Sequence, residues 1–489
     1  MFRRRAAEAA GVKARSVLAL VALLMCAPRP APAGSMRLQL SGLRVRPIET
    51  GSLFHTLFSD FFPQSDGTMY VQTGDIPAMW LRDSSAQSMP YIRFTQFYPI
   101  LARRLNAVIQ RNAKNTIADP YANAFMANYH VWERKWEIDS LAWPVIFAWQ
   151  YWASTHDRAL FTPSLHSALR AVVSTYRCQQ RHDRCAGYSY EYLTRSHDAY
   201  NPRTGMIWGA FRPSDDAVAY RFNIPQQAIA AVALADLAAL SRDGYSDAAL
   251  ARDAGALSEQ VQTGIARFGL LPSTRRGGMM YAYETDGLGH YERMDDANLP
   301  SLIALPEIGW CSSFDPTYVN TRNFALSTAN PWFFRGRYAQ GLGSPHTPYG
   351  YVWPLGIIAR ALTATSSSEV EESISTLAET DSADGLIHES FYPEGYWRFT
   401  RAEFGWANAL YAELLFRSIA GFTRTPVLPY ATMQPFELPN STPPLEPPLA
   451  RLRNAELLID TLGESLARAN ELAAPGRNGA ARSPTRSIP

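Results

Sequence analysis

The chain of 489 residues is 47% apolar and 18% charged, which places it among globular proteins with a large core and excludes a disordered or fibrous chain. Its formal charge of +2 is unevenly spread: residues 1–33 hold six basic residues against one acid and residues 451–489 six against four, so Gly34 to Ala450 is near −5. That core carries neither the basic stripe of a nucleic-acid binder nor a polybasic membrane patch, so neither partner is expected once the leader is removed.

At the amino terminus, Arg3, Arg4, Arg5, Lys13 and Arg15 precede the apolar run Val17–Ala27, and Ala31-Pro32-Ala33 follows. This order predicts a secretory signal cut after Ala33, hence an exported protein, periplasmic or secreted. The run falls short of the ~20 residues that cross a bilayer. Cys178, Cys185 and Cys311 remain after processing; an oxidising compartment permits a Cys178–Cys185 bridge, and Cys311 is expected to be buried and inert. No paired CxxC or HExxH spacing marks a zinc site, and no metal or cofactor is expected.

From Phe54 to about Thr423 no composition break, linker or repeat interrupts the chain, so residues 34–425 read as one domain. Amphipathic periodicity predicts helices over Ile100–Ile117, Ile138–Ser154, Pro163–Gln179, Pro225–Ser241, Ser246–Phe268, Pro354–Thr363, Ser367–Ala378 and Arg401–Ile419. In the first of these, Ile100, Leu101, Leu105, Val108 and Ile109 form one stripe with the charges elsewhere. Long loops rich in Gly, Pro, aromatic and acidic residues lie between, at Asn201–Asn223, Tyr281–Ser301 and Ser382–Thr400, and loops of that length are usually functional. Strand–helix alternation is missing, which argues against a TIM barrel or Rossmann sheet. An all-α toroid fits, two rings of helices with the long loops crowded at one end. Residues 426–489, rich in Pro and Arg, read as a linker, one helix over Ala450–Ala474 and a disordered tail.

Four groups of residues carry the chemistry. DIPAMWLRDSSAQ, Asp75–Gln87, joins Trp80, whose indole suits the apolar face of a pyranose, to Arg82 and Asp83, which suit vicinal hydroxyls; the same letters also suit a helix start. WGAFRPSDDA, Trp208–Ala217, sets adjacent Asp215 and Asp216 beside Arg212, as a sugar clamp, a general acid or a helix cap. Glu137 and Asp139 in KWEIDSLAW, Asp296 and Asn298 in YERMDDANLPSL, and His346 in GLGSPHTPYGYVWP add polar groups near helix starts. Finally, His388-Glu389 stands in an aromatic loop with Tyr392, Tyr396 and Trp397, followed by Arg401, Glu403 and Trp406. Carboxylate-lined aromatic clefts are what glycoside hydrolysis needs, one acid protonating the leaving oxygen while another carboxylate activates water or attacks carbon.

In this order DIPAMWLRDS, WGAFRPSDDA, DDANLPSL, SPHTPYGYVWP and HESF with FGWAN resemble glycoside hydrolase family 125, the exo-α-1,6-mannosidases, over about Gln39 to Arg424. The resemblance implies an (α/α)6 barrel over residues 34–425 that needs no metal, acts on mannose-containing oligosaccharides or glycans, and releases terminal α-1,6-linked mannose with inversion. Carried onto this sequence, the catalytic acid falls on an aspartate of RPSDD, with Asp216 favoured over Asp215, and the general base on Glu389. Arg82 and Asp83 fall to clamping the terminal mannose, with Trp80, Arg212, Glu137, Asp139, Asp296, Asn298 and His346 as further contacts. The tail after Thr425 departs from the family core. The rivals are another toroidal carbohydrate-active enzyme, such as an inverting glucosidase or a lyase, and a noncatalytic glycan-binding protein that keeps the clamp without a matched acid and base.

Overall fold

The structure is a computed structural model that describes residues 55–185, 199–273 and 277–420, with positions 48, 51–52 and 188. The leader over residues 1–33 and the tail over 426–489 lie outside the described residues. Ten α-helices are found among those residues: α1 Leu81–Ser88, α2 Pro99–Ala118, α3 Ile138–Thr155, α4 Pro163–Gln179, α5 Ile224–Tyr245, α6 Ala248–Phe268, α7 Pro316–Ala325, α8 Pro354–Leu362, α9 Ser367–Glu379 and α10 Gly405–Ala420. Each of the eight helices expected from periodicity is present; α1 bears out the alternative reading of Asp75–Gln87 as a helix start, and α7 was not anticipated.

Local chemistry explains where the helices begin. Thr162, Asn223, Asp247, Asp315 and Ser366 each accept a backbone N–H of the first turn of α4, α5, α6, α7 and α9 through their side chains. Pro99, Pro163, Pro225, Pro316 and Pro354 occupy first-turn positions, where the missing N–H costs nothing.

The helices differ in how they are covered. In α2, α4 and α6 the buried residues form one stripe, as in helices with an exposed outer face. By contrast α5 is apolar nearly all round and buried from Ile224 through Leu234, and all eight residues of α1 are buried. The contacts follow the same division: α1 packs on α3, α3 on α5, α8 on α10 and α10 back on α1, while α2 lies against α4, α6 against α5 and α9 against α8. This is an inner ring partly jacketed by an outer one.

Strands are short antiparallel ribbons in the connections. One ribbon orders Met79–Trp80, Ala124–Phe125 and Val131–Glu133, and another orders Phe222–Asn223, Glu284–Thr285 and Tyr291–Glu292. Phe333–Arg335 pairs with Gln340–Leu342, and Ser390–Tyr392 with Gly395–Thr400. These ribbons fix the loops that the sequence left irregular. Cys178 and Cys185 are disulfide-bonded. Cys311, expected to be buried, is partly exposed as a residue, although burial of the thiol itself pushes its pKa up.

Candidate active site

Trp80 ends a strand and Arg82 and Asp83 open α1, so the segment is both a helix start and a cavity wall. The cavity it borders, about 230 Å³, is also lined by Asp215, Asn298, His346, Glu389, Arg401 and Trp406. That volume is below the roughly 300–1,000 Å³ of sites for drug-sized ligands and suits one sugar ring. The Arg82 guanidinium lies over the Trp406 ring, 5.5 Å from its centroid.

Arg82 is buried among carboxylates. Its Nη1 donates to Glu137 at 2.8 Å and to Asp139 at 3.2 Å, its Nη2 donates to Asp215 at 3.2 Å, and Asp83 lies 3.4 Å from its Nε. One guanidinium cannot offset four buried negative charges, so the cluster keeps protons. Burial drives the Glu137 carboxyl well up, against the opposing pull of Arg82. Burial likewise lifts Asp83 to about 6. For Asp215, burial works upward, but the hydrogen bond with Glu137, then Arg82 and Lys135, outweigh it and hold the carboxyl at about 2. Glu137 and Asp139 thus stand behind Arg82 instead of on the cavity surface; Gln226 donates to Asp139 at 2.6 Å, and Ser140 to Glu137 at 2.9 Å.

The two neighbouring aspartates separate because the chain turns sharply between them. Asp215 N donates to Arg212 O at 3.0 Å and Arg212 N to Asp216 O at 2.7 Å, closing a loop with Pro213 at its first corner. Asp215 takes φ +66°, a left-handed conformation that Asp tolerates better than most residues. Its side chain, 17% exposed, lines the cavity and meets Arg82. The Asp216 side chain, 33% exposed, accepts the Ser214 hydroxyl at 3.0 Å and lies 3.6 Å from His346 Nδ1. Arg212 does not line the cavity: its Nε donates to Glu284 at 2.6 Å, and Glu284 also accepts Ala219 N and Tyr220 N. Its place is behind the turn, where it anchors the carboxylate-bearing loop.

Glu389 reaches the cavity from the other hairpin, immediately before Ser390–Tyr392. Burial raises its pKa, although Arg401, 3.8 Å away, and His346 pull it down. Arg401 is tethered by Asp75, which accepts at 2.7 and 2.9 Å, and by Thr73 O at 2.9 Å. His388 instead stacks on Phe399 with ring centroids 3.7 Å apart and takes no place on the cavity wall. Burial opposes protonation of His346, but Asp216, Asp215 and Glu389 overcome it and lift the ring to about 9. Asn298 Nδ2 donates to Asp296 at 3.1 Å, which places Asp296 behind Asn298. Trp80 Nε1 is buried on the cavity wall without a hydrogen-bond partner, and Asp83 Oδ2 has only its ion pair with Arg82 Nε, the condition expected of groups that meet a polar ligand or water.

Sequence reasoning did not assign roles to Arg401, Trp406, Thr347 or Thr400, all on the cavity wall. FGWAN held the signal for Trp406, but Arg401 could be placed only through its tie to Asp75. Among the described residues, His55, Asp60 and Glu403 bring three possible metal-ligating groups together. Their mutual contacts already account for them as an ion-pair cluster: His55 Nε2 meets Glu403 at 2.8 Å and Asp60 at 3.5 Å.

A second, smaller hollow of about 40 Å³ shares Trp406 with the first and is bordered by Trp143, Gln150 and Arg417. Arg417 there donates to Glu307 at 2.6 and 2.8 Å.

Comparison with known proteins agrees with this geometry. The profile of glycoside hydrolase family 125, described as metal-independent α-mannosidase, matches residues 51–416. The meiotically up-regulated gene 157 protein of Schizosaccharomyces pombe is 34% identical over 387 residues, covering 71% of this chain and 75% of the yeast protein. A Streptococcus pneumoniae metal-independent α-mannosidase, solved in a non-productive complex with α-1,6-mannobiose, is 32% identical with a TM-score of 0.73, covering 76% of this chain and 93% of that one. A bacterial glucoamylase solved with acarbose shares the fold alone, at 15% identity and a TM-score of 0.52, over 76% of this chain and 55% of its own. The fold is therefore the (α/α)6 toroid, and the chain belongs to glycoside hydrolase family 125, the metal-independent α-mannosidases.

Proposed function

We propose that this α-mannosidase is exo-acting, removes terminal α-1,6-linked mannose from oligosaccharides or glycans, and inverts the anomeric centre. The observation that carries the reading is the pairing, in one sugar-sized cavity, of the buried Glu389 carboxyl with the RPSDD turn. The α-1,6 linkage is taken from the disaccharide bound by the pneumococcal relative.

Asp216 is assigned as the acid and Glu389 as the base. Asp215 is unsuited to proton donation, because Arg82 occupies its oxygen and its carboxyl is held ionised down to about 2. It serves as part of the sugar clamp with Arg82 and Asp83. Asp216 has no such guanidinium; it is not itself on the cavity wall, but it accepts the Ser214 hydroxyl and lies 3.6 Å from His346 Nδ1, and Ser214 and His346 both line the cavity. Glu389, with its proton affinity raised by burial, is suited to taking a proton from the attacking water. Inversion requires the two carboxyls ~6.5–9.5 Å apart, so that water fits opposite the leaving oxygen. Proton NMR of one digestion of α-1,6-mannobiose tests the assignment: β-mannose appears first if the reaction inverts, and α-mannose appearing first overturns it. Activity undiminished in EDTA accompanies the expected outcome.

Export through the leader over residues 1–33 belongs to the same reading, supported by its basic, apolar and small-residue order. Sequencing the mature amino terminus after expression tests it, with a start at Gly34 expected and a start at Met1 or Met36 overturning it.

A further inference from the structure

Among the described residues, the two most exposed large apolar side chains are Tyr349, at 77%, and Trp397, at 61%. Both adjoin the sugar cavity. Thr347 and Pro348, immediately before Tyr349, line it, and so does Thr400, at the end of the strand that carries Trp397. Three residues of strand put Trp397 within ~10 Å of that edge.

Neither side chain is isolated. Tyr349 meets Phe334 and Trp332 edge-on, with centroids 5.0 and 5.7 Å away, and Trp397 meets Tyr396 and Tyr338 at 5.5 and 6.2 Å. The two groups are joined where Tyr338 N donates to Pro393 O at 3.0 Å, so the 333–342 and 390–400 hairpins make one rim. Rigid aromatic groups left exposed beside a binding cavity mark a surface that meets a ligand. Their faces suit the C–H faces of pyranoses. The cavity has room for one sugar, so the remainder of an oligosaccharide must leave across its rim.

We propose that Tyr349 and Trp397 form a platform for the sugars on the reducing side of the scissile bond, selecting mannosides of three or more units over shorter ones. The inference rests on the α-mannosidase reading above. α-Mannosyl fluoride fills the cavity without an aglycone, whereas α-1,6-linked mannotriose spans cavity and rim, so the two substrates separate cavity from platform. In Tyr349→Ala and Trp397→Ala, kcat/KM should fall about tenfold more for the trisaccharide than for the fluoride, chiefly through KM, the scale of one lost stacking contact. Tyr349→Phe and Trp397→Tyr should restore most of the loss while keeping the same thermal midpoint. Equal losses on both substrates, or none on the trisaccharide, overturn the platform. Wild-type enzyme that hydrolyses neither substrate overturns the mannosidase reading and the platform with it, which keeps the two failures distinct.

Discussion

The RPSDD turn and the HESF hairpin each bring a carboxyl to the same cavity, yet the two environments push proton affinity in opposite directions. Around Asp215, Arg82 and the proton held on Glu137 keep the carboxyl ionised to about pH 2. Around Glu389 burial prevails over an arginine 3.8 Å away, and proton affinity rises. The two arginine–carboxylate separations, 3.2 and 3.8 Å, are similar; what differs is direct hydrogen bonding to the guanidinium and a neighbouring carboxyl that supplies a proton. The proposed roles follow from this difference: a carboxylate held so firmly suits a clamp, and one lifted by burial suits a base.

That contrast can be broken outright by removing the proton-transfer groups. Glu389→Gln and Asp216→Asn should each lower kcat by about 10³-fold, the usual scale of general acid–base catalysis, with folding intact by circular dichroism. Unchanged mannose release from α-1,6-mannobiose by either variant would falsify its assignment. The next largest effect is on stability. Arg82→Met leaves its buried carboxylates without their cation and should cost about 3–5 kcal/mol in denaturant unfolding. A loss below about 1 kcal/mol, the range of surface pairs, would mean that the network is solvated.

Within the turn itself the comparison is sharpened by Asp215→Asn, which keeps a residue tolerant of φ +66° and removes only the charge. It should raise KM for the disaccharide about tenfold, the scale of one charge-assisted hydrogen bond, and reduce kcat far less than Asp216→Asn. A larger effect on kcat at position 215 than at 216 would reverse their roles. The smallest expected change is in pH dependence. As a base, Glu389 must be unprotonated, and its raised pKa sets the acidic limb of kcat/KM above the ordinary glutamate range, with activity lost as pH falls through it. Arg401→Gln removes a charge that favours the ionised form, so the limb should move to higher pH; a shift to lower pH, or none, would show that Arg401 does not act on Glu389.

The fold was legible wherever a helix has an exposed face. α2, α4 and α6 carry stripes, and their boundaries were readable to within a few residues. α1 was legible only as a possible helix start, because LRDSSAQS shows no apolar period; several of its polar groups are paired inside the protein, as when Ser84 donates to Asn112 and Asn112 to Ser85. The site was legible as a set of unusual side chains in loops, which brought Trp80, Arg82, Asp83, Asp215, Asn298, His346 and Glu389 to one cavity. What escaped was the partner of each. Arg212 stands beside two aspartates in sequence but pairs with Glu284, and Arg401 depends on Asp75, 326 positions away. Such pairings are decided by how the chain folds back, and local pattern carries no record of them.

Trp406 lines both the sugar-sized cavity and the small hollow bordered by Arg417. A buried side chain that borders two spaces couples them: what is lost from one is open to the other. Trp406→Ala is therefore expected to enlarge the space open to a ligand as well as to destabilise the core, so its effect on binding and its effect on folding need separate measurements.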